Sequence, residues 1–260
     1  MTIDYRQYLR LDAFPHFLCP GCGHGIVLKA ALRAVDALGL RQDNVVFVAG
    51  IGCSSRLVGY IDFCTLHTTH GRALTFATGL KLARPELTVI VVTGDGDGLA
   101  IGGNHLIHAA RRDVDLTCIL MNNAIYGMTG GQGAPTTRPG AITTTSPGGM
   151  AERSFDPCQL AIGAGATFVG RGMTSAPLAL DELITSAIRH PGFAFLDVLS
   201  DCPEFFGRYN DEGQGPEMLQ AQRSRLEWVA GPLAAKAFVP SYSGPVVAPL
   251  ATGILHRETR

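Results

Sequence analysis

The fold is decided by LTVIVVTGDGDG at residues 87–98 and LTCILMNN at residues 116–123. Each begins with a continuous apolar run rich in β-branched residues, which is typical of strands buried on both faces of a parallel sheet. Residues 102–112, between them, have apolar side chains at helical spacing. This order of strand, helix and strand predicts two parallel neighbours whose carboxyl ends meet at one edge of a sheet.

The same alternation continues on both sides of this unit. It predicts an α/β fold over residues 1–210, with a mainly parallel sheet and helices on both of its faces. The further helices are expected at 23–38, 72–84, 157–164 and 178–190, and the further strands at 44–50, 166–170 and 193–200.

Two segments do not fit this scaffold. Residues 129–149 are rich in Gly, Pro and Thr and are longer than most loops, so we expect a lid, a partner contact or a disordered segment. Residues 211–260 contain one helical stretch at 216–229 and then an extended segment interrupted by prolines. We expect this tail to form an arm that packs on a partner subunit.

Composition excludes several classes of protein. The 260 residues include 21 Lys and Arg against 22 Asp and Glu, so nucleic acid is not an expected partner. Charged residues make up only 17%, which indicates that part of the surface is covered by another subunit. No secretory segment or membrane-spanning run is visible, and seven cysteines cannot all pair. We therefore expect a cytoplasmic protein in a reducing compartment, with no membrane contact.

The pentapeptide GDGDG at 94–98 lies where a buried strand ends and a helix is about to begin. Its spacing fits neither a dinucleotide fingerprint nor a calcium loop, because the glycines and the glutamate that those motifs need further along are missing. Alone, it is also compatible with a glycine turn that carries solvated aspartates. Asn122 and Asn123 end the neighbouring strand, so carboxylate and amide oxygens meet at one edge. Such oxygens suit Mg²⁺ that holds a diphosphate.

The cysteines add a second constraint. Cys19 and Cys22 form a CxxC pair, which alone is compatible with a redox pair, half of a zinc site or half of an iron–sulfur site. Cys53 and Cys202 each follow a predicted strand, at the same sheet edge as the GDGDG segment. Four thiolates can therefore converge beside the diphosphate site, and an all-cysteine set suits an iron–sulfur cluster or zinc.

Three cysteines remain outside this set. Cys118 lies within a predicted strand and is expected to fill the core. Cys64 and Cys158 have no assigned position, and each is a conceivable substitute ligand.

Five motifs together resemble the β subunit of 2-oxoacid:ferredoxin oxidoreductases, over about residues 14–210. They are CPGCGH at 19–24, GIGCSS at 50–55, THGRALTFATGLKLA at 69–83, VVTGDGDGLAIGGNHLIHAARR at 91–112 and NNAIYGMTGGQ at 122–132. The resemblance implies the fold that binds thiamine diphosphate, a cofactor that decarboxylates 2-oxoacids, with a nearby cluster that accepts electrons one at a time.

The resemblance also implies a set of ligands. Cys19, Cys22, Cys53 and Cys202 would bind one 4Fe–4S cluster. Asp95, Asn123 and the carbonyl of Ile125 would hold Mg²⁺. The residues expected around thiamine diphosphate are Ile51, Gly52, Cys53, Ser54, His70, Gly94, Asp95, Gly96, Asp97, Asn123, Ile125, Tyr126, Gly127, Met128 and Thr129.

Four side chains are candidates for catalysis. His70 is expected to contact the reacting centre, although it could instead cap the following helix or satisfy a carbonyl. Arg56 is a candidate for the substrate carboxylate, because a guanidinium binds carboxylates with two hydrogen bonds. Its alternative is an ordinary surface arginine. Met128 and Thr129 are expected to touch the thiazolium ring or the substrate.

Partners and substrates follow from the same resemblance. A separate α subunit would supply the glutamate that polarises the cofactor, in an αβ or α2β2 assembly, and ferredoxin would accept the electrons. The expected substrates are a 2-oxoacid and CoA, with 2-oxoglutarate favoured over pyruvate and branched-chain 2-oxoacids. Two alternatives are a non-redox decarboxylase with structural zinc, and a non-catalytic scaffold that binds a partner through residues 129–149.

Overall fold

An eight-stranded sheet organises the computed structural model, which describes residues 3–228 and 250–258. The strand order is β2-β1-β3-β4-β8-β7-β10-β9, and all neighbouring strands are parallel except β7 and β10. A separate two-stranded hairpin pairs β5 with β6. The strands are β1 (Val45–Ala49), β2 (Cys64–His67), β3 (Thr88–Gly94), β4 (Leu116–Asn122), β5 (Ile125–Tyr126), β6 (Gln132–Gly133), β7 (Phe168–Met173), β8 (Phe193–Leu199), β9 (Leu226–Trp228) and β10 (Leu250–Arg257).

Helices cover both faces of the sheet, as the sequence predicts. The helices are α1 (His24–Ala37), α2 (Ala73–Ala83), α3 (Gly103–Arg111), α4 (Pro157–Gly163), α5 (Pro177–Arg189) and α6 (Gly215–Ser224). On one face, α1 and α5 pack over alternate strand residues that include Phe47 and Ile119. On the other face, α2, α3 and α4 pack over residues that include Val48 and Leu120. The strands in the middle of the sheet are apolar throughout because both of their faces are buried.

The predicted elements are present, with shifts at their ends. The strand predicted at 166–170 begins at Phe168 and runs to Met173. A wide helical turn, Gly96–Ile101, precedes α3, so the chain is already helical just after β3. The short strand β2 was not predicted, because its four residues lie at the sheet edge, where exposed side chains carry no continuous apolar signal.

The prediction for the tail is partly wrong. Leu250–Arg257 is a strand of this chain's own sheet, antiparallel to β7, rather than an arm. It begins after Pro249, so no proline interrupts its hydrogen bonds to β7. The predicted helix at 216–229 ends at Ser224 and is followed by β9, and residues 229–249 lie outside the described residues. Contact of the tail with a partner stays a prediction.

Residues 129–149 are tied to their own chain at several points. The backbone N–H of Thr144 donates to the carbonyl of Gly131 at 2.8 Å, and that of Ile142 donates to Oδ1 of Asn210 at 2.8 Å. These contacts give the segment a defined path over the carboxyl edge of the sheet.

Across residues 3–228 and 250–258, no helix combines the length and the apolar character needed to cross a bilayer.

Candidate functional site

A cavity of about 220 Å³ lies at the carboxyl edge of the sheet. The loops after β1, β3 and β4 form most of its wall, which is where parallel α/β sheets place their ligands. All fifteen residues that the sequence predicts around the cofactor line this cavity, and His24 and Met121 line it as well. The structure therefore brings the predicted set together, while the contact of each residue with a cofactor stays a prediction.

Asp95 places a buried carboxylate in the cavity wall. Its Oδ1 accepts a hydrogen bond from the backbone N–H of Gly96 at 3.0 Å, and its Oδ2 accepts one from the hydroxyl of Thr136 at 2.5 Å. Burial raises the pKa of Asp95 to about 6. A carboxylate oxygen has two lone pairs, so each Asp95 oxygen keeps one for a ligand. A cation in the cavity would offset the cost of burying this charge.

Glycine is required where the backbone approaches an aromatic ring. A Cβ on Gly96 would overlap the ring of Tyr126, whose hydroxyl donates to the carbonyl of Gly96 at 2.9 Å. Tyr126 thus closes over the turn that follows β3, and the turn has no space for a larger residue.

The two asparagines after β4 have different surroundings. Asn122 is buried, and its amide donates to Oδ1 of Asp197 at 3.0 Å while its Oδ1 accepts from the N–H of Ala124 at 3.3 Å. Ala124 has a φ of 59°, a conformation rare for a residue with a side chain. This turn places Asn123 and Ile125 in the cavity wall. Asn122 therefore supports the turn, and Asn123 is the asparagine available to a ligand.

Asp97 connects three segments around the cavity. Its Oδ1 accepts from Nδ1 of His70 at 2.7 Å, from the N–H of Gly71 at 2.7 Å and from the N–H of Ile51 at 3.2 Å. Its Oδ2 accepts from the hydroxyl of Thr93 at 2.6 Å. Because a carboxylate can only accept, Nδ1 of His70 carries a proton and Nε2 is left as an acceptor. Asp97 thus fixes both the loops and the histidine.

Three of the predicted catalytic residues line the cavity, and one does not. His70, Met128 and Thr129 belong to the wall, and the hydroxyl of Thr129 donates to Oε1 of Gln132 at 2.7 Å. Arg56 lies outside the wall, with its guanidinium carbon 5.9 Å from the centroid of the Phe17 ring. The described part of the wall contains no Lys or Arg side chain.

The four predicted cluster cysteines lie on one side of the cavity. A Cβ on Gly127 would be 3.5 Å from Sγ of Cys202 and 3.6 Å from Sγ of Cys53, although these residues come from separate loops. Burial raises the pKa of Cys53 to about 11, and the Cys202, Cys19 and Cys22 thiols contribute to that rise. Burial likewise raises the pKa of Cys22 and Cys202.

These thiols are crowded but do not meet at a point. Within the described residues, no three His, Cys, Asp or Glu side chains converge closely enough to hold one metal ion. The sulfurs of a tetrahedral zinc site are about 3.8 Å apart, given a Zn–S bond near 2.3 Å. A polynuclear cluster has its metal ions spread over several corners and takes thiolates that are further apart.

The remaining cysteines lie elsewhere in the fold. Cys118 is buried within β4, as predicted. Cys158 is buried at the start of α4, where its thiol donates to the carbonyl of Gly170 at 3.8 Å. Cys64 is exposed on the edge strand β2. Neither Cys64 nor Cys158 is beside the other four.

Sequence reasoning missed three residues of this site. Met121 lies two residues before Asn123, so the period of a strand could have placed it on the same side. His24 ends the CPGCGH motif and also belongs to the wall, and its Nδ1 is 3.1 Å from the carbonyl of Cys22. Thr136 carries no sequence signal, since it reaches Asp95 only because the long loop folds back.

Comparison with known proteins identifies the class of protein to which this fold and cavity belong. A family model described as "Thiamine pyrophosphate enzyme, C-terminal TPP binding domain" matches residues 50–198. The chain is thus a thiamine diphosphate-binding protein, and the matched range includes β3, β4 and the loops after β1, β3 and β4 that form most of the wall.

Curated relatives narrow this class to one family. The chain is 50% identical over 214 residues to the "2-oxoglutarate synthase subunit KorB" of Methanocaldococcus jannaschii, covering 82% of this chain and 79% of the relative. It is 54% identical over 203 residues to the subunit of the same name in Archaeoglobus fulgidus, covering 78% and 76%. The chain belongs to the family of 2-oxoacid:ferredoxin oxidoreductase β subunits, which are thiamine diphosphate-dependent oxidoreductase subunits.

A solved structure has a similar fold over the whole length of this chain. The "2-oxoglutarate:ferredoxin oxidoreductase from Magnetococcus marinus with 2-oxoglutarate, coenzyme A and succinyl-CoA bound" matches with a TM-score of 0.85 and 34% identity, covering 100% of this chain and 86% of the other.

Proposed function

We propose that this chain is the β subunit of a 2-oxoglutarate:ferredoxin oxidoreductase, which decarboxylates 2-oxoglutarate and transfers the acyl group to CoA. The observation that carries the proposal is the position of four cysteines, of which only Cys19 is exposed, beside a cavity whose wall holds Asp95 and Asn123. The names of the similar proteins support 2-oxoglutarate as the substrate. Pyruvate and branched-chain 2-oxoacids are the alternatives.

Mg²⁺ and the diphosphate of the cofactor fit the residues after β3 and β4. Asp95 offers one free lone pair on each oxygen, Asn123 offers an amide oxygen and Ile125 a backbone carbonyl. The start of the helical turn Gly96–Ile101 brings backbone N–H groups to the same place, where they favour a phosphate. When bound, thiamine diphosphate supplies the carbanion chemistry that removes CO2 from a 2-oxoacid.

His70 is the group in this wall that can hold a proton near the reacting centre. Its Nδ1–H donates to Asp97, so Nε2 is the atom that can accept a proton and return it. His70 thus fits the role of an acid and base whose tautomer is fixed in advance.

A 4Fe–4S cluster fits the four thiols of Cys19, Cys22, Cys53 and Cys202. All four are cysteines, and their mutual repulsion as thiolates needs cationic iron to offset it. Among the described residues, no three of them converge closely enough to hold a single metal ion. Two of them, Cys53 and Cys202, lie beside Gly127 in the cavity wall, which supports an electron acceptor next to the proposed decarboxylation site.

The subunit needs a partner, as its family implies. We propose an α subunit that covers the cavity and supplies the missing carboxylate, in an αβ or α2β2 assembly, and ferredoxin as electron acceptor. Exposed apolar residues beside the cavity, such as Ile51 and Ile101, which are 41% and 51% exposed, support coverage by another subunit.

The test is a substrate panel on the complex. Co-expressed with its α subunit and purified without oxygen, the protein should contain about four irons per chain, as one four-cysteine cluster implies. Initial rates of viologen reduction with CoA should be highest with 2-oxoglutarate among 2-oxoglutarate, pyruvate and 2-oxoisovalerate. A colourless, zinc-loaded complex would contradict the cluster, and a preference for pyruvate would contradict the substrate.

Arg56 is our candidate for the distal carboxylate of 2-oxoglutarate. It is the nearest arginine in sequence to the cavity residues Cys53 and Ser54, and an exposed side chain can turn from Phe17 toward a substrate. Arg56→Gln should raise KM for 2-oxoglutarate by about tenfold, the value of one charge-assisted hydrogen bond. KM for pyruvate, which lacks this carboxylate, should stay within twofold.

Two further variants sharpen this test. Arg56→Lys keeps the positive charge but loses the paired N–H donors of the guanidinium. Its KM for 2-oxoglutarate should therefore lie between those of Arg56→Gln and the wild type. Arg41→Gln removes an exposed arginine in a distant loop and should leave both KM values unchanged. If Arg56→Gln raises KM for 2-oxoglutarate and for pyruvate by the same factor, Arg56 does not bind the distal carboxylate.

A further inference from the structure

Thr136 reaches the metal-binding carboxylate from the long loop, 41 residues further along the chain. Its hydroxyl donates to Oδ2 of Asp95 at 2.5 Å. Both side chains are buried, with Thr136 7% and Asp95 2% exposed. The contact is therefore shielded from water and is made wholly by this chain.

The loop is fixed at this point by the following threonine. The hydroxyl of Thr137 accepts from the N–H of Ala134 at 2.7 Å and donates to the carbonyl of Ala124 at 2.6 Å. Ala124 lies between Asn123 and Ile125, the other two residues that we assign to the metal. The hydroxyl of Ser154 then donates to the carbonyl of Thr137 at 2.7 Å. One short turn, residues 134–137, thus bonds both halves of the proposed metal site.

We propose that Thr136 is a positioning residue for the divalent metal, because its hydroxyl sets the rotation of the Asp95 carboxylate. This inference rests on the proposed function, in which Asp95 binds Mg²⁺. The N–H of Gly96 holds Oδ1 and the hydroxyl of Thr136 holds Oδ2, so the plane of the carboxylate is fixed before a metal arrives. Partners that orient a ligand in this way contribute to metal affinity although they do not touch the metal.

The same contacts assign a role to the turn at residues 134–137. It acts as a brace that stays in place against the site, instead of a lid that opens at each turnover. The proposed metal ligands lie at the carboxyl edge of the sheet. The Thr136 hydroxyl, which orients the Asp95 carboxylate, comes from the long loop instead. Loss of the Thr136 hydroxyl should therefore change metal binding more than it changes folding.

The experiment measures metal affinity directly. The complex with the α subunit is stripped with EDTA, given excess thiamine diphosphate and titrated with Mn²⁺, which suits the same oxygen ligands as Mg²⁺. Loss of the free Mn²⁺ signal in electron paramagnetic resonance reports binding. Thr136→Val should weaken Mn²⁺ binding by about 10- to 100-fold. Thr136→Ser, which keeps the donor, should stay within about threefold of the wild type.

A matched control is Thr143→Val. Thr143 is buried in the same loop, and its hydroxyl accepts from the N–H of Ser146 at 3.0 Å instead of bonding Asp95. The Thr143→Val variant should lose about as much thermal stability as Thr136→Val, but its affinity for Mn²⁺ should equal that of the wild type. If Thr136→Val does not fold, Thr136→Ala removes the same donor.

Two failures are distinguishable in this design. A wild-type complex that binds no Mn²⁺ with thiamine diphosphate present would contradict the proposed metal site itself. A wild-type complex that binds Mn²⁺, with Thr136→Val or Thr136→Ala binding it equally well, would overturn the role of Thr136 alone. Weakening by Thr143→Val as strong as by Thr136→Val would also overturn it, because the effect would then be one of loop packing.

Discussion

Cys53→Ala is expected to abolish acceptor reduction while some non-oxidative decarboxylation remains. The thiol lies in the cavity wall beside Cys202, so its loss would remove a ligand of the proposed cluster without removing a group that we assign to Mg²⁺ or to the diphosphate. Losing even an outer-shell partner of a metal site costs about 10- to 100-fold, so losing a ligand should reduce viologen reduction to less than about one hundredth. Iron content, viologen reduction and CO2 release from labelled 2-oxoglutarate are measured on the same sample.

Cys64→Ala is the control for this variant. Cys64 is exposed on the edge strand β2, away from the four thiols, and its loss should change neither iron content nor rate. Cys202→Ala should reproduce the effect of Cys53→Ala. Normal viologen reduction by Cys53→Ala would exclude the proposed route of electrons through this cluster.

Asp97→Ala is expected to reduce kcat by about 10²- to 10⁴-fold, the contribution of one acid–base group. The substitution leaves the N–H groups of Gly71 and Ile51 without their acceptor and frees the ring of His70 to adopt either tautomer. His70→Ala should give a loss of similar size. The double variant should be little worse than either single variant, because the two residues act as one unit.

Asp97→Asn separates positioning from charge. An asparagine oxygen can still accept from His70 and Gly71, while its amide faces the hydroxyl of Thr93, which can also accept. This variant should keep the affinity for thiamine diphosphate and lose only about tenfold in kcat, because the position of His70 is kept while the carboxylate charge is lost. Additive losses in Asp97→Ala and His70→Ala would show that Asp97 does not act through the histidine.

Much of the fold could be predicted because its signals are local. The apolar runs of β3 and β4 are continuous, since both faces of these strands are buried, and the helices between them have regular apolar spacing. The strands β2 and β10 were missed for a physical reason. β2 lies at the edge and is exposed. β10 is stabilised by pairing with β7, where Gly253 lies opposite Arg171, and a local sequence pattern does not report a contact between residues so far apart in the chain.

The candidate site was predictable where ligands follow strands. Asp95 and Asn123 come directly after parallel strands, and Cys53 lies in the loop after another, so topology alone puts all three at one edge. The supporting contacts were not predictable in this way. Asp97 bonds His70 and Thr136 bonds Asp95 only because loops fold over the carboxyl edge of the sheet. No periodic signal in the sequence encodes the path of these loops.

The four thiols come from the chain's beginning, its first strand loop and the end of β8, so the parts of a cluster site are complete only when the sheet has formed. Assembly of the proposed cluster would therefore follow formation of the sheet, and its binding energy would add to the stability of the finished domain. Once in place, the cluster would join the N-terminal segment to the loops after β1 and β8 as a cross-link does. Oxygen that destroys the cluster would then remove a cross-link as well as an electron carrier. A subunit inactivated in this way should be cleaved faster by proteases near Cys19.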